Sequence, residues 1–390
     1  MKKPIRVLEI ISGFAIEGPL GGIERFGIEL AQAIAGEEVL PIVCGIWAYQ
    51  TPHENEWVEV LRQLGIDAFF AANWNEQSPV SSFIQAYKGT LEKLTEPVDI
   101  IHSHCQFGDV LALLLKRKLS AKKLVRTVHN EREWGKRPLR KLMLTNIIYP
   151  LSFQLELGVS QQVVDNLDQR HLAKWSAKKA VRSYNALNFG RFENIHVDKV
   201  KKRRELGISA DDIVVGTVGR LSKQKGYSIL LQAASIILKK SNNIYFLIVG
   251  TGLLEQELKD LATQLKISDK VIFLGARHDI EEIYAIMDLF INSSLWEGLP
   301  TVILEAMSAN VPVIGTEVSG NTELIQDEET GWLVPPNNPQ ELASVINKVL
   351  SIDPNKKMIV CEQAKEFIGT RFSIHGIAKS HIRFYQRLAQ

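Results

Sequence analysis

The chain has 390 residues, more than a single hydrophobic core usually organises, so two domains are expected. A hydrophobic fraction of 45% and a charged fraction of 23% are typical of a globular protein, and the net charge of +2 excludes a bulk electrostatic attraction to nucleic acid. The three cysteines, Cys44, Cys105 and Cys361, are too few and too far apart for a disulfide framework or a cysteine zinc site, which fits a reducing compartment.

The N-terminal sequence MKKPIRVLEIISGF places two lysines before an apolar run, as a signal peptide does. Arg6 and Glu9 interrupt that run, and no small-residue cleavage site follows. We therefore predict a buried first strand. No window reaches 18 uninterrupted apolar residues, so we expect no membrane span and a cytoplasmic location.

Short apolar runs alternate with longer amphipathic stretches along the chain, a pattern typical of βαβ units around parallel sheets. In the first half, strands are predicted at 5–11, 39–46, 98–102, 124–128 and 155–159, with helices at 23–34 and 109–118. In the second half, strands are predicted at 213–218, 244–249, 271–274, 289–292, 311–316 and 331–334, with helices at 227–239 and 253–265. The fold class is therefore α/β, with two Rossmann-like doubly wound domains.

The boundary between the domains is predicted where the cadence breaks, between about 185 and 209. The charge-dense segment KVKKRRE within this break predicts a solvated helix. We assign 1–185 to the N-terminal domain, joined by a C-terminal helix over 373–390, and 186–372 to the second domain.

Ligands of open parallel sheets bind beyond the carboxyl ends of the strands, so the segments after the strands are the candidate sites. After the first strand comes GPLGGIER at 18–25, where glycines such as Gly21 and Gly22 let a ligand approach the backbone at a helix start. The alternative is a plain strand–helix turn. The segment lacks the GxGxxG pattern, which counts against a nicotinamide-dependent dehydrogenase.

The loop GRLSKQKG at 219–226 carries Arg220 and Lys225 at the start of a predicted helix. Together, an arginine fork and a lysine point charge can neutralise a diphosphate leaving group. The alternative is that both are solvated loop charges.

The stretch SSLWEGLPTVILE at 293–305 is the most informative part of the sequence. Glu297 lies in a loop after a strand, and Glu305 lies on a helix predicted to begin near Pro300. The amides and the positive dipole end of that helix would stabilise a phosphate, and the two carboxylates could accept hydrogen bonds from sugar and ribose hydroxyls. The alternative places Glu297 at a helix cap and Glu305 on a solvated face. The apolar residues before Glu305 indicate a buried helix instead, where a carboxylate requires a partner.

Three histidines follow strand ends in the first half of the chain. His129 ends a strand beside Asn130 and Glu131, so we predict that it points into the active site. We predict that its two neighbours contact the acceptor, the molecule that would receive the transferred group. His104 is assigned to the acceptor as well, whereas His102 is predicted to be a core histidine within its strand.

No Asp-Xaa-Asp triplet occurs in the sequence. Metal-dependent sugar transferases of another architecture use such carboxylates to hold a divalent ion on the diphosphate. We therefore expect no metal and no cofactor, and we assign the neutralisation of the diphosphate to Arg220, Lys225 and helix amides.

These segments together resemble the retaining glycosyltransferases of family 4, which have the GT-B fold with two Rossmann-like domains facing across a cleft. The resemblance covers nearly the whole chain, and its most specific element is the pair Glu297 and Glu305 with seven residues between them. The other matching segments are GRL…KG at 219–226, VSGNTELI at 318–325 and ETGWLVP at 329–335.

The resemblance implies a role for each matched position. Arg220 and Lys225 would bind the donor diphosphate, Glu297 the transferred sugar and Glu305 the ribose, while His129 would face the reacting centre. The remaining donor-binding positions are Gly21, Gly22, Arg277, Gly298, Leu299, Pro300 and Thr301, and the contact with the base at 276–278 would be made largely through the backbone. The sequence departs from the family pattern at 185–188, which reads NALN, and at Leu299, where an aromatic residue is usual.

The activity implied by this resemblance is the transfer of a hexose, with retention of configuration, from a nucleotide sugar to a glycan or a lipid-linked acceptor in envelope or exopolysaccharide synthesis. UDP-glucose or a related UDP-hexose is the expected donor. Two alternatives remain open: a nucleotide-sugar epimerase with the GT-B fold, and a non-catalytic partner protein that binds a nucleotide sugar.

The segment from Lys116 to Lys141 carries eleven basic residues against two acidic ones, with Trp134, Leu139, Leu142 and Met143 interleaved. A basic, partly amphipathic stretch can bind anionic lipid headgroups, which predicts peripheral contact with the inner face of the membrane. The alternative is a solvated helix and loop.

Overall fold

The computed structural model describes the whole chain except residues 1–2, 17–20, 135–138, 140, 176–178 and 194–195. The chain forms two compact units. The first contains residues 1–186 and 374–390, and the second contains residues 187–373.

The first unit contains a seven-stranded parallel sheet in the order β3-β2-β1-β4-β5-β6-β7. Its strands are β1 (Ile5–Ile11), β2 (Val39–Ala48), β3 (Asp67–Asn73), β4 (Ile100–Ser103), β5 (Lys123–Val128), β6 (Leu155–Gly158) and β7 (Val181–Arg182). Its helices are α1 (Gly22–Ile34), α2 (Glu54–Gln63), α3 (Pro79–Lys93), α4 (Gln106–Lys118), a π-helix (Lys141–Ile148), α5 (Tyr149–Ser152), α6 (Gln161–Asp168) and α7 (His171–Trp175).

The second unit contains a six-stranded parallel sheet in the order β10-β9-β8-β11-β12-β13. Its strands are β8 (Ile213–Val218), β9 (Ile244–Val249), β10 (Val271–Gly275), β11 (Leu289–Asn292), β12 (Val313–Thr316) and β13 (Trp332–Val334). Its helices are a 3₁₀-helix (Phe189–Phe192), α8 (Lys199–Glu205), a 3₁₀ turn (Lys223–Lys225), α9 (Tyr227–Leu238), α10 (Glu255–Gln264), α11 (Ile280–Ala285), α12 (Thr301–Ser308), α13 (Ser319–Thr322), α14 (Pro339–Ser351) and α15 (Pro354–Arg371). The chain then returns to the first unit as α16 (Ile374–Ala389).

The strand order reverses direction once in each sheet, between β1 and β4 in the first and between β8 and β11 in the second. At such a switch point the loops leaving the two strands diverge and open a crevice for ligands. In the first sheet, Glu9 of β1 pairs directly with His102 of β4. Polar side chains that would be costly in an apolar sheet are therefore concentrated at the position where a ligand site is expected.

The predicted strands 5–11, 213–218, 244–249 and 289–292 are confirmed residue for residue. The prediction did not include β3, β7 or the helices α2 and α3. β3 is alanine-rich and lies at the edge of its sheet, so it lacks the continuous β-branched run that marks the buried strands.

The helix α16 completes the hydrophobic core of the first unit. Ile374, Ala378 and Tyr385 are buried in one cluster with Phe26 and Leu30 of α1. The C-terminal segment is therefore part of the first domain's interior.

Two charges predicted to lie at the surface are in fact buried. Arg126 of the basic 116–141 segment is only 1% exposed, because it lies on β5 and forms ion pairs with Asp109, Glu133 and Glu156. Burial, together with the negative charges of Glu133 and Glu156, raises the pKa of Asp109 to about 7, although Arg126 acts to lower it. Arg203, in the helix predicted to be solvated, is also buried and donates to the carbonyl oxygens of residues 210, 212 and 286.

Candidate functional site

Two loops of the second unit leave the switch point and are held together by their backbones. The loop after β8 contains Gln224 and Lys225, and the loop after β11 begins at Ser293. The Leu295 amide donates to the Gln224 carbonyl at 2.7 Å, and the Ser293 hydroxyl donates to the Lys225 carbonyl at 2.9 Å. These bonds fix the basic loop against the loop that carries Glu297.

Gly226 is required at the contact between these loops. Its φ of 62° lies in the left-handed region, which disfavours side chains. A Cβ atom there would lie 2.1 Å from the carbonyl oxygen of Ser293. The loops can therefore approach this closely only with glycine at position 226.

Glu297 is buried and accepts three hydrogen bonds. Lys225 Nζ lies 2.5 Å and Ser294 Oγ lies 2.6 Å from Glu297 Oε1, and Gln224 Nε2 lies 3.2 Å from Oε2. The carboxylate is 4% exposed, so these donors offset the cost of its burial. The sequence prediction that Lys225 and Glu297 lie in one site agrees with this geometry. Arg220 belongs to the same loop and is exposed to solvent.

The N-terminus of α12 lies directly after this loop, as predicted. Pro300 is the residue before the first helical turn, and Thr301 begins the helix. Gly298 and Leu299 are buried, and Gly320 lies so near that a Cβ atom on it would be 2.5 Å from the Gly298 carbonyl oxygen. The first amides of an α-helix have no partner within the helix, and its dipole favours an anion.

Glu305 is buried and has a hydrogen-bond partner, as the sequence predicted. The residue is 7% exposed, and its Oε2 accepts a hydrogen bond from the Tyr284 hydroxyl at 3.0 Å. Arg191 Nη1 lies 4.0 Å from Oε1. Glu297 and Glu305 thus differ in environment, since the first is held by a lysine and the second by a tyrosine.

Arg277 is engaged with a neighbouring carboxylate. Its Nε and Nη2 donate to Asp279 Oδ1 and Oδ2 at 2.8 and 2.6 Å, and Lys202 also pairs with Asp279. Although burial alone would raise the pKa of Asp279, the hydrogen bonds from Arg277 and Lys202 lower it to about 2. The Arg277 guanidinium is therefore bound to Asp279, and the backbone contact with the base at 276–278 stays a prediction.

The switch point of the first sheet contains a buried carboxylate, Glu9. Its Oε1 accepts from Tyr385 Oη at 2.8 Å, and its Oε2 lies 2.8 Å from His104 Nε2 and 3.1 Å from His102 Nδ1. Burial alone would raise the pKa of Glu9, but the two imidazoles lower it far below the usual value. His102 is fully buried and also bonds to Thr127 at 2.8 Å, which confirms it as a core histidine.

His129 lies at the end of β5 and is held in one tautomer. Its Nδ1 lies 2.8 Å from Asn185 Oδ1. Because that oxygen only accepts, Nδ1 carries the proton and Nε2 is left with a lone pair. Among the described residues, Nε2 is buried without a hydrogen-bond partner. Burial and the neighbouring His104 lower the pKa of His129 well below the usual value, so the ring is neutral near pH 7.

The predicted acceptor-side residues differ in exposure. His104 is 1% exposed and bound to Glu9, so Nδ1, which has no partner among the described residues, is the nitrogen left for another contact. Asn130 and Glu131 follow His129 in a loop and are half-buried.

The glycine loop is only partly described. Residues 18–20 of that prediction lie outside the described residues. Gly21 is half-buried at the start of α1, and its amide is bound by the Glu24 carboxylate at 3.1 Å. Gly22 is the first residue of the helix. A Cβ atom on Gly21 would meet no atom of the described residues within 4 Å.

Three potential metal ligands meet in the first unit. One ligand atom each of Glu9, His102 and His104 lies within 4.8 Å of the others, and all three side chains are buried. Two imidazoles and a carboxylate are a donor set that transition metals accept. The hydrogen bonds that these atoms make to one another satisfy them as they stand.

Several residues of the site were not predicted from the sequence. Gln224 and Ser294 hold Glu297, and Tyr284 and Arg191 lie against Glu305. Ser294 follows a strand end, which is a weak positional signal. Tyr284 and Arg191 have no local signal, because each reaches Glu305 from a distant part of the sequence.

Known proteins are similar to this chain in sequence and in fold. Residues 198–367, almost the whole second unit, match the family described as Glycosyl transferases group 1. The chain is 33% identical over 207 residues to the uncharacterized glycosyltransferase MJ1607 of Methanocaldococcus jannaschii, an alignment that covers 52% of this chain and 53% of that protein. It is 29% identical over 378 residues to the Escherichia coli UDP-Gal:alpha-D-GlcNAc-diphosphoundecaprenol alpha-1,3-galactosyltransferase, with 91% of each chain covered.

Solved structures support the fold over the full length. Anabaena HepE in complex with UDP-glucose superimposes with a TM-score of 0.80 at 23% identity, covering 98% of this chain and 99% of that one. WaaG, a glycosyltransferase involved in lipopolysaccharide biosynthesis, gives a TM-score of 0.69 at 15% identity, covering 97% of this chain and 99% of that one. Together with the two parallel sheets, these likenesses establish the GT-B fold. The match to the glycosyl transferases group 1 family lies within the second unit, over residues 198–367.

Proposed function

We propose that the protein is a retaining glycosyltransferase that moves a hexose from a UDP-sugar to a glycan or lipid-linked acceptor in polysaccharide or lipopolysaccharide synthesis. UDP-glucose or a related UDP-hexose is the proposed donor. HepE is described in complex with UDP-glucose, and the Escherichia coli relative is a galactosyltransferase that uses UDP-Gal and a diphosphoundecaprenol-linked acceptor. These descriptions support the proposed classes of donor and acceptor.

The observation that carries the proposal is the contact between Lys225 and Glu297 beside the start of α12. One cation, one buried carboxylate and the first amides of α12 meet at the switch point of the second sheet. A nucleotide sugar requires these three groups: a cation and amides for the diphosphate, and an acceptor for sugar hydroxyls. We assign the second unit to the donor and the first unit to the acceptor.

The proposed reaction is a front-face displacement with retention. The bond from the sugar C1 to the diphosphate oxygen breaks as the acceptor oxygen bonds to C1 on the same face. The departing diphosphate oxygen takes the acceptor's proton, so no separate base is needed. Arg220 and Lys225 stabilise the charge that develops on the leaving group, as preorganised donors do in other enzymes. No metal takes part in this scheme.

His129 is proposed to face the reacting centre from the first unit. Its Nε2 lone pair accepts a hydrogen bond and, because the ring is neutral, does not bring a second charge to the site. Asn185 fixes the tautomer that makes this possible.

A thermal-shift screen with UDP, GDP, ADP and UDP-sugars in the presence of a chelator tests the proposed donor class. UDP or a UDP-sugar is expected to raise the Tm by about 5 °C at a concentration 100 times its Kd, because that excess stabilises the native state by about 2.7 kcal/mol. The shift is expected to disappear in Arg220→Ala and to persist in Arg204→Ala, which removes an exposed arginine from α8. A wild-type shift with none of these nucleotides would contradict the proposal.

Turnover separates the transferase from its alternatives. A transferase releases UDP from a UDP-sugar faster when an acceptor is present, whereas a nucleotide-sugar epimerase inverts a sugar carbon and needs no acceptor. A non-catalytic binding partner would give the thermal shift but no UDP with any acceptor. The readout is free UDP with and without a mixture of lipid-linked sugars.

We also propose that the first unit contacts the membrane through an exposed apolar stripe. Leu139, Met143, Ile147 and Leu151 are 45–76% exposed and follow one another at intervals of four residues, with Leu142 beside them at 57%. Met143 and Ile147 lie on the π-helix and Leu151 lies on α5, and basic residues precede this stripe in the sequence. An apolar face next to basic residues is the composition of interfacial helices. No helix in the described part of the chain has the length and apolar character to cross a bilayer.

Sedimentation with vesicles tests the membrane proposal. The wild-type protein is expected to sediment with phosphatidylglycerol vesicles at low salt, and Leu142→Glu with Met143→Glu is expected to weaken this binding about tenfold or more, because two buried side chains are lost from the lipid. The matched control is Met358→Glu with Ile359→Glu, an adjacent pair on α15 that is 54% and 50% exposed. Wild-type protein that stays in the supernatant, or an equal loss in both double variants, would refute the stripe as a docking surface.

A further inference from the structure

Glu305 is held on one side by a tyrosine that lies deep in the second unit. Tyr284 is fully buried, and its ring packs against Phe192 at 6.1 Å and Phe290 at 5.6 Å between centroids. Its hydroxyl lies 3.0 Å from Glu305 Oε2 and 3.2 Å from the Val302 carbonyl. The Tyr284 hydroxyl therefore donates to a side chain and to a backbone carbonyl of the same helix, α12.

This arrangement fixes the direction of the Glu305 carboxylate. A glutamate on a helix has three rotatable bonds and loses conformational entropy when it is held. The aromatic ring of Tyr284 cannot follow a moving carboxylate, because rings pack on it and its hydroxyl is tied to Val302. With Oε2 bound to Tyr284, Oε1 is the oxygen that remains for a ligand.

Arg191 supplies a positive charge on that remaining side. Arg191 lies on the 3₁₀-helix that opens the second unit. Its Nε donates to Glu281 Oε1 of α11 at 3.0 Å, which anchors the guanidinium. Its Nη1 lies 4.0 Å from Glu305 Oε1, close enough for charge attraction but beyond a hydrogen bond. Arg191 therefore places a positive charge beside Glu305 without covering Oε1 with a hydrogen bond.

We propose that Tyr284 is a positioning residue that orients Glu305 for recognition of the donor's ribose, with Arg191 as its counter-charge. The inference rests on the proposed function, in which Glu305 contacts the ribose. An ionised carboxylate only accepts hydrogen bonds, so its natural ligand is a pair of hydroxyl donors such as the 2′ and 3′ hydroxyls of a ribonucleotide. Tyr284 strengthens this contact because it removes the rotational freedom of the Glu305 carboxylate before the ligand binds.

Calorimetric titration with UDP and with its 2′,3′-dideoxy form tests the proposal. The wild type is expected to bind UDP about tenfold to a hundredfold more tightly than the dideoxy form, the range for hydrogen bonds to a charged group. Tyr284→Phe keeps the ring and its packing but removes the hydroxyl. This variant is expected to bind UDP about tenfold more weakly. Its affinity for the dideoxy form should be unchanged, because that ligand has no ribose hydroxyls for Glu305.

Two further variants complete the experiment. Tyr245→Phe removes the hydroxyl from a half-buried tyrosine on β9 and is expected to change neither affinity. Arg191→Met is expected to weaken UDP more than the dideoxy form, as Tyr284→Phe does. If Tyr284→Phe weakens both ligands equally, or neither, the positioning role is refuted while the proposed donor site stands. If the wild type binds neither ligand, the proposed function itself is refuted, and this inference with it.

Discussion

Replacing Lys225 by alanine is expected to lower kcat by about 10² to 10³-fold, the loss seen when one preorganised donor is removed from a developing charge. The structure places Lys225 Nζ 2.5 Å from Glu297 in the loop where the diphosphate is proposed to bind. The loss should fall on kcat as well as on kcat/KM, because the negative charge on the leaving group grows as the glycosidic bond breaks.

The stability of this variant should change much less than its turnover. Glu297 keeps the hydrogen bonds from Ser294 and Gln224, so removing the lysine leaves the carboxylate partly satisfied. We expect a loss of about 1–3 kcal/mol in the free energy of unfolding, the usual cost of removing one partner of a buried group.

Lys223 provides the matched control. It lies in the same 3₁₀ turn, two residues from Lys225, but is exposed to solvent. Lys223→Ala should keep wild-type turnover within about twofold, since a solvated charge has little effect on a buried reaction. UDP release from a UDP-sugar with acceptor is the measurement, with chemical denaturation alongside. Turnover in Lys225→Ala within threefold of the wild type would remove Lys225 from the proposed mechanism.

Acidification is expected to destabilise the protein steeply below about pH 6.5. Burial, above all, lowers the pKa of His104 to about 4 and that of His381 to about 3, and it lowers the pKa of His129 well below its usual value. An unfolded histidine takes up a proton near pH 6.5, whereas these three remain neutral in the folded protein. Their stabilising contribution is complete above pH 6.5 and is lost as the pH falls towards their folded values.

The size of this effect follows from the number of protons. Each histidine contributes up to about 1.4 kcal/mol per pH unit. Asp109 acts in the opposite sense, because its pKa is raised to about 7 and the folded protein takes up a proton that the unfolded chain does not bind until about pH 4. Three histidines opposed by one aspartate leave a slope of up to about 2.7 kcal/mol per pH unit between pH 6 and 5.

Glu9 contributes in a separate, more acidic range. Its pKa is lowered, so its stabilisation is present above the usual glutamate pKa and is lost only at lower pH. The decline between pH 6.5 and 5 is therefore attributable to the histidines.

Urea unfolding at pH 7.0, 6.0 and 5.0 measures the slope. In His381→Leu the slope should be smaller by about 1.4 kcal/mol per pH unit, since one buried imidazole is gone. His171→Gln, which replaces an exposed histidine at the start of α7, should retain the wild-type slope. A free energy of unfolding that stays constant from pH 7.0 to 5.0 would show that the buried rings are not held neutral.

The sequence was sufficient for the elements whose local pattern agrees with their final environment. The buried strands read as continuous apolar runs, as strands covered on both faces of a parallel sheet do. The edge strand β3 and the two-residue β7 were missed, because their pairing with a neighbour determines them more than their own composition does.

The site was predictable where strand ends determine it, and not where distant side chains complete it. Lys225 and Glu297 each follow a strand end, so the topology alone places their loops side by side. Tyr284 and Arg191 meet Glu305 only through packing. Arg126 was misplaced for the same reason, because a count of basic residues along the chain does not show which of them enters the core with three carboxylates.

Because α16 completes the core of the first unit, the order of synthesis affects when that unit can fold. The ribosome makes β1 and α1 before the second unit and α16 after it. Until then the pocket between Phe26 and Leu30 lacks Tyr385, and Glu9 lacks one of its three donors. The nascent N-terminal sheet therefore has an uncovered apolar surface and a carboxylate that lacks one donor, while the second unit, whose residues are contiguous, can fold first. A helix made after the whole second unit thus completes a domain whose first strands are made before it.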